Sequence, residues 1–174
     1  SQSMVRKSYH SVKLRENDSN RGFAAACNQG AEMASGDHLF FLNCDAEILP
    51  HTIEILSAYL DSHKTVGIVA PRIQNPDGTL QPSLRRFPKP FDQLLKLFKL
   101  DRFLRGVPMF RRYFGDDIDY AHEQDVEQPM GAALMVRKEA FAQMRGFDER
   151  FFIWFEEVDL CKRARDAGWQ VRYI

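Results

Sequence analysis

Three carboxylates fall within four positions at Glu156, Glu157 and Asp159, directly behind the aromatic-rich run Phe151-Phe152-Ile153-Trp154-Phe155. Acids crowded beside apolar rings repel one another and lose solvation, so at least one pKa is expected to rise. A carboxylate in that environment can serve as a general base near neutral pH. Two adjacent acids also titrate as a coupled pair. A second acidic site, Asn43-Cys44-Asp45-Ala46-Glu47, follows the apolar run His38-Leu39-Phe40-Phe41-Leu42. From an extended backbone, carboxylates two apart reach one hard cation, Mg²⁺ or Mn²⁺, which bridges them to a diphosphate. One site is suited to holding a cation and the other to taking a proton, a combination that suggests metal-assisted group transfer. Each also has a plainer reading. Asp45 and Glu47 could lie in a solvated turn, and Asp159 with Arg163 has the spacing and order of a stabilising helical ion pair. The ion pair leaves Glu156 and Glu157 against Trp154 and Phe155 unexplained.

Positioning these groups requires a set of alternating strands and helices. Phe23 to Ala34 reads as an Ala-rich helix, with Asn20 placed to cap it and Gly36 to stop it. His38 to Asn43 has the pattern of a strand buried on both faces. Pro50 opens a helix carrying Ile53, Leu56, Tyr59 and Leu60, and Val66 to Ala70 is a second buried strand. Asn75-Pro76-Asp77-Gly78 is a turn, and Phe91 to Leu104 is amphipathic. Ala132 to Val136 is a short strand, and Lys138 to Met144 a helix ended by Gly146. Glu156 to Ala167 is a helix capped by Gly168, followed by a strand from Val171 to Ile174. The order implies an α/β fold with a mixed, mostly parallel sheet, helices on both faces and a site at the strands' carboxyl edge. The helix opening around Asn20–Asn28 offers backbone N–H groups to phosphate or ribose oxygens, although taken alone it is better explained by ordinary capping by Asn20 with Phe23 in the core.

Composition narrows the class. The 174 residues suffice for one domain, and 24 basic against 24 acidic residues leave no net field to attract nucleic acid. Cys27, Cys44 and Cys161 form no CxxC pair, which fits a reducing cytosol rather than a disulfide framework or a zinc site. His10, His38, His51, His63 and His122 show no ligand spacing. No P-loop, dinucleotide fingerprint or nucleophile elbow is present, nor any apolar run long enough to span a membrane. The chain opens on Ser1 rather than Met, and reads as a piece of something longer. Nine basic residues between Arg85 and Arg112 face six acids between Gly115 and Glu127. Such a basic amphipathic stripe packs on its own domain more often than it lies on an anionic membrane, yet it suits a lipid-linked substrate.

In order and spacing these pieces resemble the GT-A glycosyltransferases of family 2, particularly the bacterial rhamnosyltransferase-like members. The stretches carrying the likeness are Asn20-Arg21-Gly22-Phe23-Ala24-Ala25-Ala26-Cys27-Asn28-Gln29-Gly30, Leu42-Asn43-Cys44-Asp45 and Asp77-Gly78-Thr79-Leu80-Gln81-Pro82-Ser83 with Arg85-Arg86. Gly131-Ala132-Ala133-Leu134-Met135-Val136-Arg137 and Gly146-Phe147-Asp148-Glu149 through Phe155-Glu156-Glu157-Val158-Asp159-Leu160 to Gly168-Trp169 complete it. The resemblance implies a Rossmann-like nucleotide-diphospho-sugar transferase fold. It also implies inverting transfer of a sugar, rhamnose as first choice, from a nucleotide-diphosphate donor to a saccharide or lipid-linked acceptor. Asp45, with Glu47 second, would hold a divalent Mn²⁺ or Mg²⁺. Asn20, Gly22, Phe23, Asn28, Asn43, Asp45, Gly131 and Ala132 would line the donor pocket. Glu157 would be the base, with Glu156 orienting it, and Trp154, Asp159 and Arg86 would lie on the acceptor side. Cys44 departs from the proline or small residue usual before the aspartate. The family usually begins with a further β-α-β portion gripping the nucleobase, so residues 1–174 are expected to form a single GT-A domain lacking that portion and its C-terminal end. The expected location is the cytoplasm, with peripheral contact at the inner membrane face through residues 91–112. The competing expectation is a non-catalytic carbohydrate- or nucleotide-binding module of the same fold; a metal-dependent phosphoesterase is a third.

Overall fold

The computed structural model describes residues 2–88 and 118–174, so the amphipathic stretch 91–104, and most of the basic stripe, lie outside the described residues. A short helix α1 (Gln2–Ser8) that buries no residue precedes α2 (Phe23–Met33), strand β1 (His38–Leu42), α3 (Thr52–Ser62) and β2 (Val66–Ala70). Two short strands, β3 (Leu84–Arg85) and β4 (Gln124–Asp125), come next, then β5 (Gln128–Pro129), β6 (Ala133–Arg137), α4 (Lys138–Gln143), α5 (Glu156–Asp166) and β7 (Gln170–Tyr173). Among the described residues no helix is long and apolar enough to cross a membrane.

The main sheet has the order β1-β6-β2-β7-β4, and β3 pairs with β5 in a separate ribbon. The buried runs expected to share a sheet do so. The expected predominance of parallel pairing is corrected, however: only β2 and β7 pair in parallel, and β1–β6, β2–β6 and β4–β7 are antiparallel. β1, β2 and β7 do run in one direction, but β6 inserts between β1 and β2 against them. Its residues alternate between two buried faces, which suits the centre of a sheet whatever its direction, so the apolar run left direction open.

That alternation builds the core. Leu39 and Phe41 of β1, Ile68 and Ala70 of β2, and Leu134 and Val136 of β6 point to one face, where Ala24, Phe141 and Leu160 from α2, α4 and α5 cover them. Phe40, Val69 and Met135 point to the other, covered by Leu56 and Leu60 of α3. Val66 joins this second face because the β2–β7 register shifts between Val66 and Ile68. Each buried Leu or Val contributes roughly 1.5–3 kcal/mol, so α3 is oriented by two leucines. Ile53, expected on the same stripe, is 45% exposed. The helix itself starts at Thr52, after His51 in a left-handed conformation, and not at Pro50.

Because β6 is antiparallel to β1, Leu42 at the end of β1 lies opposite Ala133 at the start of β6. The loops 43–51 and 130–132 therefore leave from the same edge of the sheet, the carboxyl edge of β1, β2 and β7.

Candidate active site

The two acidic stretches, 109 or more residues apart in sequence, meet along this edge through the start of β6. The Asn43 N–H donates to Ala132 O at 2.9 Å, and the Ala46 N–H to Asn43 O at 3.1 Å, which closes a turn holding Asp45. The backbone at Asp45 is thus turned, not extended as the spacing argument assumed. Asp45 and Glu47 are exposed and make no hydrogen bond or ion pair with any described residue. On the other side of Ala132, a Cβ added at Gly131 would lie 3.4 Å from Glu157 Cβ. Glycine there lets the strand edge touch the first turn of α5.

α5 begins under strain. Trp154 and Phe155, neither a glycine, have φ of 68° and 70°, and Phe155 at the N-cap provides no side-chain cap. Left-handed residues of this kind cost about 1–3 kcal/mol each and persist where the surroundings impose them. Here they turn the chain so that Phe152, Ile153, Trp154 and Phe155 are all exposed, Trp154 at 73%, while Glu156 just behind them is 7% exposed. Glu156 Oε2 is buried without a hydrogen-bond partner among the described residues. Glu157 is half-buried, and burial followed by the charge of Glu156 pushes its carboxyl above the ordinary value, against the pull of its own and Val158's N–H groups. This is the raised carboxylate that the acidic run led us to expect. Cys27 of α2 also senses Glu156. Burial first, and that charge second, push its thiol up to about 12, so it stays protonated and inert.

α2 approaches the same place from below. Its N-cap is Gly22 at φ +85°, not Asn20; the Asn20 Oδ1 instead accepts the Gly22 N–H at 2.9 Å in a turn before the helix. A Cβ at Gly22 would sit 2.6 Å from Phe152 O, and that carbonyl accepts the Phe23 N–H at 3.2 Å. One of the N–H groups expected to face a ligand is therefore taken by the loop before α5. Asn28 is also engaged elsewhere, holding Phe147 and Glu149. Asp159 pairs with Arg163, whose guanidinium reaches the Met144 and Gly146 carbonyls. Arg86 stands 3.7 Å from Glu127, which also accepts the Phe87 N–H. The structure thus sets the turn at Asn43 to Ala46 against Ala132 and Glu157 against Gly131, ties Gly22 and Phe23 to Phe152 in the loop before Glu156, and gives Asn28, Asp159 and Arg86 partners within the protein. The grip of Asn28 on Phe147 and Glu149, and of Arg163 on the Met144 and Gly146 carbonyls, escaped the sequence reading, because the residues Asn28 holds are about 120 positions away.

Among the described residues no cluster of three or more His, Cys, Asp or Glu side chains is placed to hold a metal. Two unpaired carboxylates at a strand end match a hard cation that takes its remaining oxygens from substrate and water.

A mixed sheet covered on both faces, with acids at its carboxyl edge, defines a nucleotide-sugar transferase architecture of the GT-A type. A crystal structure described as GalNAc-T7 with UDP, GalNAc and Mn²⁺ superimposes with TM-score 0.66 at 15% identity, over 99% of this chain and 32% of that one. The chain belongs to glycosyl transferase family 2, whose model matches residues 2–142. It is 31% identical over 177 residues to N-acetylglucosaminyl-diphospho-decaprenol L-rhamnosyltransferase of Mycobacterium tuberculosis, covering 95% of this chain and 57% of that protein. It is 25% identical over 142 residues to Rhamnosyltransferase WbbL of Escherichia coli, covering 81% of this chain and 50% of that protein. The chain therefore spans little more than half the length of these relatives.

Proposed function

We propose that the chain is part of the catalytic domain of an inverting, metal-dependent glycosyltransferase that moves a sugar, rhamnose as first choice, from a nucleotide-diphosphate donor to a saccharide or lipid-linked acceptor. The observation that carries the reading is the convergence of the Asp45 turn and the Glu156–Glu157 pair on either side of Gly131-Ala132. The names of the two relatives support rhamnose and, for the mycobacterial one, an acceptor on a diphosphate-linked lipid. The assignment of residues 1–174 to a single GT-A domain belongs to the same proposal.

In this reading Asp45, with Glu47 second, holds Mn²⁺ or Mg²⁺, which supplies charge to the leaving diphosphate when bound. The small, half-buried pair Gly131-Ala132 allows the donor sugar to lie close to the sheet edge, with Gly22, Phe23 and Asn43 around it. Glu157 takes the acceptor hydroxyl proton as that oxygen attacks the anomeric carbon from the face opposite the diphosphate. Burial keeps its carboxyl basic enough for this, with the buried Glu156 beside it. Trp154 and its exposed neighbours offer an apolar wall on which an acceptor ring can stack. Donor and lipid-linked acceptor would meet at the inner membrane face.

The test is turnover of the intact protein with a panel of nucleotide sugars, Mn²⁺ and candidate acceptors. Glu157→Gln keeps size but cannot accept a proton, so kcat should fall roughly 10²–10⁴-fold with donor affinity retained. Normal turnover by Glu157→Gln with loss in Glu156→Gln would exchange their roles. Donor binding without product in the unaltered protein would favour a binding module instead.

A further inference from the structure

The segment 144–155 carries the acid pair to the sheet edge, and side chains from two helices hold its start. Asn28 of α2 engages both of its N–H donors and its oxygen. Oδ1 accepts the Phe147 N–H at 2.8 Å, while Nδ2 donates to Phe147 O at 2.9 Å and to Glu149 Oε1 at 3.1 Å. Arg163 of α5 donates to the Met144 carbonyl and, at 2.9 Å, to Gly146 O. Asp159 fixes that guanidinium, accepting from Nε at 2.7 Å. Between the two clamps lies Gly146, at φ +74°, where a Cβ would stand 2.6 Å from Asn28 Oδ1. Farther on, Phe152 O accepts the Phe23 N–H, so α2 ties the segment at two points.

We propose that Asn28 is a positioning residue for the acid pair: its carboxamide fixes where the 144–155 segment starts, and so where Glu157 stands, instead of contacting the donor. The inference rests on the reading of that pair as the source of the base. Its physical content is geometric. Two of the three hydrogen bonds hold partly buried backbone and the third an exposed carboxylate, so their loss loosens the segment without unfolding the sheet. A displacement of roughly 1 Å at a reacting group costs on the order of 10²-fold in rate. Asn28 has no N–H left to offer a ligand.

The experiment is a double-mutant cycle in the intact protein, with rates corrected for folded fraction by thermal melting. Asn28→Ala should lower kcat roughly 10–100-fold and leave the donor KM within about twofold. In a Glu157→Gln background the same change should cost nothing further, because the group it positions is already disabled. A raised donor KM with kcat retained would overturn the proposal in favour of direct donor contact. Equal losses in both backgrounds would overturn it in favour of a general structural role. Wild-type rates in Glu157→Gln alone would reject the base assignment and not the clamp; the cycle is then run against Glu156→Gln and judged by the same criterion. Should Asn28→Ala fail to fold, Asn28→Asp keeps the size and the acceptor for Phe147 N–H but sets a charge against Glu149. Adding Glu149→Gln restores a donor to that contact and should recover part of kcat; no recovery counts against the clamp.

Discussion

At the scale of single residues, the proposed base is a carboxylate held where ionisation is unfavourable. The folded protein raises the Glu157 pKa mainly by burial. Its contribution to stability is therefore full below the ordinary carboxylate range and is lost as pH rises through the raised value. At neutral pH the ionised side chain works against folding. Glu157→Gln should accordingly melt at a higher temperature than the unaltered protein at pH 7, and the difference should shrink as the pH is lowered below the unfolded carboxyl pKa. A constant difference at all pH values would mean that ionisation is not the cause. This is the stability–activity exchange expected of a functional group. Asp45 presents the opposite case, an exposed carboxylate with no partner among the described residues. Asp45→Asn removes the charge and keeps the shape, so calorimetric titration of a nucleotide sugar should lose its Mn²⁺ dependence. Unchanged dependence would reject Asp45 as the principal ligand.

At the scale of elements, α2 and the loop entering α5 behave as one joint. Gly22 is its tightest point, with a positive φ and no room for a Cβ beside Phe152 O. Gly22→Ala adds left-handed strain and a backbone clash, and should destabilise by about 1–3 kcal/mol, read as a shift in the urea midpoint. It should also displace Phe152 and the exposed aromatics that follow. Much of this element layer was legible beforehand. The helices at 23–33, 138–143 and 156–166 and the strands at 38–42 and 66–70 follow from apolar spacing, Gly and Pro alone. The left-handed pair Trp154-Phe155 was not, since bulky residues avoid that conformation and only packing around them imposes it.

At the scale of the whole molecule, charge is balanced in sum and divided along the chain. Nine basic residues between Arg85 and Arg112 lie beside Leu94, Leu95, Phe98 and Phe103 in the sequence. Basic and apolar residues together bind anionic lipid with about 1 kcal/mol per basic side chain near the surface. If this segment brings the enzyme to a lipid-linked acceptor, sedimentation at low salt should recover more of the protein with anionic than with neutral vesicles, and added salt should abolish the difference. Equal recovery would assign the segment to packing on its own domain.

Local order in the chain was sufficient for the α/β class and for the bounds of the longer helices and strands to within a few residues, but not for α1 or the two-residue strands β3, β4 and β5. Hydrophobic period and turn residues act over a few positions and are written in consecutive residues. The strand directions, the insertion of β6 between β1 and β2, and the approach of Asn43 and Glu157 to neighbouring residues of Gly131-Ala132 depend on pairings between distant segments. Buried apolar strands satisfy the same burial whether their neighbours run parallel or antiparallel, so composition leaves that choice open. Asn28 makes the same point at the site. An asparagine in mid-helix carries no local mark of its partner, and its grip on Phe147 arises only once α2 and the segment before α5 pack against the same face of the sheet.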